Sequence, residues 1–228
     1  MADFFKFPST PHLAVLGGND VRDDKCFSAS EREEFLSHEI SIEEKIDGAN
    51  LGISFNSDGE PVFQNRGSVV TVFSGQWVKL QNWYLKHADF LFDKLADQYI
   101  LFGEWCYARH SVFYDSLPDF FVAFDVFDKG AGRFFSVEQR NLFLSNSNIF
   151  TVPLIQKGLF SFAQLENMVF TSHFGHLPAE GIYLRIDDGQ WLRQRAKLVR
   201  PAFRQTIEEH WSRHAICANR IKPPAYEA

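Results

Sequence analysis

Residues 40–55 read Ile-Ser-Ile-Glu-Glu-Lys-Ile-Asp-Gly-Ala-Asn-Leu-Gly-Ile-Ser-Phe. Ile40, Ile42 and Ile46 alternate with polar residues, Asp47-Gly48 interrupts, and Leu51, Ile53 and Phe55 alternate again. A period of two that stops at an Asp-Gly pair and resumes predicts a strand, a tight turn and a second strand. Lys45 therefore ends a strand with a turn directly after it.

Working outward, Ser57-Asp58-Gly59 turns the chain into a strand at Pro61–Gln64, and Val69–Phe73 is expected to continue the sheet. Trp77, Leu80, Tyr84, Leu85, Ala88 and Leu91 recur at helical spacing. Tyr99–Cys106 and Phe120–Phe127 read as buried strands, and Ser136 and Ser161 are helix-start signals. Gly181–Ile186 and Gln190–Val199 flank Asp188-Gly189 and predict a hairpin. Pro201 suits the first turn of a last helix carrying Phe203, Ile207, Trp211 and Ala215 on one face. Before residue 39 the pattern is irregular, apart from a short helix that Ser30 would cap with Glu33. The expectation is an α+β fold, mainly antiparallel sheets with flanking helices. It would be one domain over 1–228: an N-terminal segment (1–38), a core (39–200) and a C-terminal helix and tail (201–228).

Of 228 residues, 45% are hydrophobic and 23% charged, enough apolar material for a sizeable core. The net charge of -6 does not advertise a nucleic-acid binder. Its distribution is uneven, however. Acids crowd Asp20 to Glu60, while Arg193, Arg195, Lys197, Arg200 and Arg204 make a basic run. Cys26, Cys106 and Cys217 form no Cys-x-x-Cys pair, which argues against a disulfide framework or structural zinc and suits a cytoplasmic location. No apolar stretch approaches a membrane span or a secretory signal.

A lysine becomes a nucleophile once it loses its proton, and burial or neighbouring cations favour that loss. Lys-x-Asp-Gly alone also describes a surface lysine beside a turn. Other segments supply the remaining parts of a phosphoryl-transfer site in order. Arg66-Gly67 follows a strand and suits a ribose or phosphate contact. Glu104 lies within the apolar run Leu101-Phe102-Gly103-Glu104-Trp105, where a charge needs a partner. Phe124-Asp125 puts an aromatic that could stack on a purine beside an acid at a strand end, although plain core packing is also open. Glu180 precedes another strand. Arg193, Arg195 and Lys197 alternate, and three cations on one strand face suit a triphosphate.

This series resembles the covalent nucleotidyltransferase superfamily, and most closely the ATP-dependent RNA ligases of the phage and RNA-repair type. Lys45-Ile46-Asp47-Gly48-Ala49-Asn50 resembles the first motif of that family, with Asn50 favouring the RNA-ligase branch. Arg66-Gly67, Phe102-Gly103-Glu104, Phe124-Asp125, Glu180-Gly181 and Arg195-Ala196-Lys197 resemble the later ones. The resemblance implies an ATP-grasp-like ligase adenylation domain. Lys45 would carry AMP from ATP, bordered by Glu44 and Ile46. Asn50 would assist sealing, Arg66 would hold ribose or the RNA 5′-phosphate, and Glu104 would bind the ribose. Phe124 would stack on adenine with Asp125 nearby, Glu180 would support magnesium or manganese, and Lys197 would contact the α-phosphate. Arg195 stands where the family usually has lysine. The substrates implied are RNA ends bearing a 5′-phosphate and a 3′-hydroxyl. No separate OB-fold or helical C-terminal domain is evident, so a partner protein or subunit could supply extra grip on RNA. A GTP-using RNA capping guanylyltransferase and a non-catalytic nucleotide- or RNA-binding module are the rival readings.

Three further features stand outside these motifs. His210 and His214 have helical spacing without an evident third metal ligand. His173 and His176 read as solvent-exposed. Arg109, His110 and Tyr114 mix cationic and aromatic groups after the third motif and could line the pocket or the RNA path.

Overall fold

The computed structural model describes residues 4–17, 25–168, 170–201, 203 and 216–223. The predicted last helix beyond Phe203 and the His210/His214 pair lie outside these residues. In chain order the elements are α1 (Ala29–Leu36), β1 (Ile40–Lys45), β2 (Ala49–Phe55), β3 (Pro61–Gln64), α2 (Leu80–Leu95), β4 (Tyr99–Trp105) and β5 (Phe121–Asp128). Then come β6 (Arg133–Phe134), α3 (Val137–Phe143), β7 (Phe150–Thr151), β8 (Leu154–Gly158), α4 (Phe162–Glu166), β9 (Gly181–Asp188) and β10 (Trp191–Val199). They form two mainly antiparallel sheets, a four-stranded one ordered β10-β9-β1-β8 and a larger one ordered β3-β2-β4-β5-β6, with β7 parallel to β5. Among the described residues, no helix is long and apolar enough to cross a membrane.

Alternation decides which face of each sheet is apolar. In the four-stranded sheet Ile40 and Ile42 of β1, Ile182 and Leu184 of β9, and Ala196 and Leu198 of β10 are buried with Leu13, Phe35 of α1 and Leu165 of α4. Full burial of one such side chain contributes roughly 1.5–3 kcal/mol. Their neighbours point to the opposite face. Glu43 lies opposite Tyr183, which lies opposite Lys197, and Ser41 lies opposite Arg185, which lies opposite Arg195. Directly opposed residues share a face, so the charged row of three strands looks inward. The larger sheet packs Leu51, Ile53, Leu101 and Phe121 on Leu80, Trp83, Leu91 and Leu95 of α2. Leu85, placed by periodicity on the apolar face, is 65% exposed because Trp83 and Tyr84 take that side of the helix.

The predicted turn at Asp47-Gly48 does not make a hairpin. β1 pairs with β8 and β9, whereas β2 pairs with β3 and β4. Ile46–Gly48 therefore carries the chain from one sheet to the other, and Lys45 sits at the seam. A side chain at Gly48 would meet the carbonyl of Trp105 at 2.8 Å, so glycine is required for this approach.

Other expectations shift in detail. The capping box of α1 is Ser28 with Glu31, not Ser30 with Glu33. The caps at Ser136 and Ser161 and the hairpin at Gly189 (φ +58°) are present as read. Val69 makes only an isolated bridge to Gln64. Phe124-Asp125 does not end a strand. It lies inside β5, where Asp125 faces Phe102 and Ala123 faces Gly103, leaving Phe124 as the extra, bulged residue.

Candidate active site

The two inward faces enclose a cavity of about 430 Å³ lined by Lys45, Ile46, Asn50, Arg66, Glu104, Phe124, Glu180 and Lys197, with Phe7, Thr10, Gln76, Trp77 and Tyr183 among others. Register explains the meeting of distant motifs. Lys45 pairs with Gly181, which brings Glu180 beside it. Asn50 pairs with Glu104 across β2 and β4. Lys197 arrives from β10 through Tyr183. No side chain fits at Gly181, where the backbone of Leu198 and Val199 closes in.

Lys45 Nζ donates to Glu180 Oε2 at 2.6 Å. Burial by itself would lower the pKa of this ammonium, but Glu180, Glu104 and Asp47 outweigh it and hold the group above its ordinary value. The expectation of a lysine poised without its proton is therefore corrected: its acidic neighbours, first among them Glu180 in direct contact, keep it charged. Burial raises Glu104 to about 8, with Glu180 and Asp47 adding to the rise and Lys45 and Arg66 opposing it. Glu104 accepts from the Gly48 amide at 3.1 Å. Burial also raises Glu180, against the pull of Lys45. Lys197 is lowered to about 8, first by burial and then by the charge of Lys45. Asn50 Oδ1 is buried without a hydrogen-bond partner among the described residues.

Several assigned roles are revised by geometry. Arg193 is the bulged residue of β10 and is exposed, so the expected row of three cations is broken. Arg195 is not free for phosphate. It donates to Asp125 at 2.7 Å, and its guanidinium lies 4.6 Å from the Phe7 ring and 4.4 Å from the Phe134 ring. Asp125 is fully buried between Arg195 and Arg185 rather than beside a ligand. Glu44 lines the cavity, as expected of a residue bordering a base, while its carboxylate is held by the loop before β9. It accepts from Ser172 Oγ at 2.5 Å and the His173 amide at 3.0 Å, and it meets His173 Nδ1 at 2.7 Å. His173 is exposed, as read, while bonded to Glu44, and His176 is exposed beside Asp115.

Arg66 stands exposed at the rim, on a turn whose Gly67 and Ser68 amides donate to Asn65 Oδ1. Phe124 is held through its backbone, since its carbonyl accepts from Arg140 at 2.7 Å and Arg185 at 3.3 Å. Ile46 lines the wall and packs with Val152.

Sequence reasoning missed four contributors. Phe7 meets Phe124 edge-on at 5.4 Å, and Thr10 shares a hydrogen bond with Tyr183, so the N-terminal segment forms one wall. Only its Phe-rich opening hinted at this. Asp47 acts structurally, because its Oδ2 accepts from the amides of Ser111 and Val112, both at 2.7 Å, and so fixes the 107–115 loop. Gln76 carries the loop's other edge, with Oε1 3.1 Å from His110 Nε2. Among the described residues no group of three or more His, Cys, Asp or Glu side chains could hold a metal by itself.

The model of the RNA ligase family matches residues 38–199. No curated protein matches the sequence. The fold is similar to an arginine-to-alanine variant of Naegleria gruberi RNA ligase with ATP and manganese, at a TM-score of 0.62 and 16% identity over 94% of this chain and 59% of that one. The Naegleria gruberi RNA ligase with pyrophosphate gives 0.59 and 19% over 80% of this chain and 55% of that one. An archaeal ATP-dependent RNA ligase gives 0.59 and 19% over 85% of this chain and 48% of that one. The chain thus spans between about half and three fifths of the length of these solved chains. The family match covers more than half of its residues, including every motif from Lys45 to Lys197, and the chain belongs to the RNA ligase family.

Proposed function

We propose that this protein is an ATP-dependent RNA ligase that carries AMP on Lys45 and joins a 5′-phosphate to a 3′-hydroxyl. The observation that carries the reading is the convergence of Lys45, Glu180 and Lys197 in one cavity, although they are far apart in sequence. The cavity suits a nucleotide in size and lining. Phe124, Ile46 and Val152 offer apolar surface for a base, while Lys197 and Arg66 offer cations for phosphates. The unpartnered Asn50 Oδ1 would be satisfied by a ligand donor.

In the first step Lys45 Nζ attacks the α-phosphorus, an N–P bond forms, and the bond to pyrophosphate breaks. The ammonium proton must leave first. Glu180, in contact at 2.6 Å and with its own pKa raised by burial, is the acceptor at hand. Lys197 faces the same space and stabilises charge developing on the phosphoryl oxygens. While its carboxylate is ionised, Glu180 would also help to hold magnesium or manganese. Such an ion would supply charge neutralisation. An oxygen of the RNA 5′-phosphate then displaces Lys45 from AMP, and the amine regains its proton. Finally the 3′-hydroxyl attacks that 5′-phosphate and AMP leaves. The cytoplasm and a role in RNA repair fit this chemistry.

Intact-mass analysis after incubation with magnesium and ATP or GTP tests the first step. One added AMP mapped to the Lys45 peptide is expected. A guanylyl adduct instead would favour the capping reaction, and no adduct with either nucleotide would favour a binding module without turnover.

A further inference from the structure

Beside the cavity, two segments more than a hundred residues apart place two arginines around one aromatic ring. The guanidinium carbons of Arg109 and Arg220 each lie 5.9 Å from the centroid of Phe113. Both arginines are exposed, and neither has a carboxylate within 4 Å among the described residues. By contrast, Arg140, Arg185 and Arg195 are all paired with acids. Phe113 is only half-buried and belongs to none of the buried apolar clusters, although its neighbours Val112 and Tyr114 do.

The arrangement is fixed by backbone. The Arg109 amide donates to the Cys217 carbonyl at 2.8 Å, and the Arg220 amide donates to the Tyr114 carbonyl at 2.9 Å. Asn219, buried between the segments, accepts from the Tyr114 amide and donates to the Cys106 carbonyl. Two like charges held together without an acid are an unsatisfied electrostatic arrangement that an anion would relieve. The ring between them adds a stacking surface. Cation and aromatic together are what a single-stranded nucleic acid needs: phosphates to neutralise and bases to stack.

The position joins this surface to the cavity. Ser111 and Val112 are bonded to Asp47, and His110 meets Gln76, and both Asp47 and Gln76 line the cavity. Phe113 is therefore one residue beyond a residue bonded to the wall, about 4 Å of backbone. We infer that Arg109, Phe113 and Arg220 form a docking platform for the single-stranded RNA that leads into the reacting end. This rests on the RNA-ligase reading of the cavity, but it is tested without the reaction.

The experiment measures binding of a fluorescent 5′-phosphorylated single-stranded RNA oligonucleotide to the full chain without ATP, across a salt series. Arg109→Ala with Arg220→Ala is expected to weaken binding at least tenfold and to flatten the dependence on salt by about 1.4, the loss of two phosphate contacts. Phe113→Leu is expected to weaken binding about fivefold with the salt dependence kept. Arg133→Ala with Arg193→Ala removes equal charge from exposed sites elsewhere and should bind as wild type. Wild-type affinity in the first variant, or an equal loss in the Arg133/Arg193 variant, would overturn the platform. Protein–AMP formation, assayed separately with ATP alone, reports on the cavity, so failure of that reading is distinguishable from failure of this one.

Discussion

Two charge clusters lie between the sheets, and they are built on opposite principles. One joins Arg140 to Glu43, and Arg185 and Arg195 to Asp125, all nine-tenths or more buried, with Arg140 and Arg185 also capping the Phe124 carbonyl. Its members meet partners of opposite charge at close range. The other, a few residues along the same strands, gathers Lys45, Glu104, Glu180 and Lys197. There the carboxyls are pushed up, Lys197 is pushed down, and Asn50 Oδ1 lacks a partner among the described residues. Charges paired with their opposites hold a shape, although Glu43 Oε2 and Arg185 Nε also lack hydrogen-bond partners among the described residues, whereas a cluster of acids and bases shifted from their ordinary values has capacity left for a ligand.

The sharpest break in this comparison is Lys45→Ala. It should abolish the protein–AMP adduct while the circular-dichroism spectrum and melting curve stay those of a folded chain. An adduct at wild-type yield would contradict the assignment of the nucleophile. Asp125→Ala should do the converse and strike the fold. It strands the buried Arg185 and Arg195, so a loss of about 3–5 kcal/mol in urea unfolding is expected. Retention of wild-type stability would mean that water or rearrangement satisfies both arginines. Lys197→Ala should slow adduct formation by roughly a hundred- to a thousandfold, the scale of losing one preorganised donor to developing charge. Single-turnover kinetics measure it, and an unchanged rate would remove Lys197 from the first step.

The smallest effect concerns pH. Glu104 rises from 4.5 to about 8, so the folded chain keeps a proton that the unfolded chain has lost. The stability this contributes is complete below about pH 4.5 and lost as pH rises through about 8. Glu104→Gln should therefore melt higher than wild type at pH 9 and close to it at pH 5. Parallel curves at the two pH values would show that Glu104 titrates normally. Lys197 works in the other direction: its depressed pKa makes stability rise with pH between about 8 and 10.5.

What can be read from the sequence follows local periodicity. The strands bearing Lys45, Asn50, Glu104 and Lys197, the β9–β10 hairpin and the caps at Ser136 and Ser161 depend on neighbours within a few residues. The short strands β6, β7 and β8 carry no such signal and exist through pairing. Charges mislead for the same reason. Alternation puts Arg195 on the face of Lys197 correctly, but only the approach of β5 reveals that Asp125 occupies it. Glu44 is a wall residue as read, but the partners that hold its carboxylate, Ser172 and His173, are remote in sequence. The bulges at Phe124 and Arg193 break a period of two in the partner's frame, not in the chain's own.

The passage of the chain at Ile46–Gly48 has a mechanical consequence. Three residues span at most about 10 Å, so the sheets are tethered at the foot of the cleft, immediately beside Lys45. A second short crossing, Val152-Pro153 between β7 and β8, lies alongside it, where the Pro153 carbonyl accepts from the Glu44 amide, so the two layers are held together on both sides of this end of β1. Lys45 thus stands where covalent chain on two sides fixes one layer against the other, a footing that a hairpin turn would not have provided.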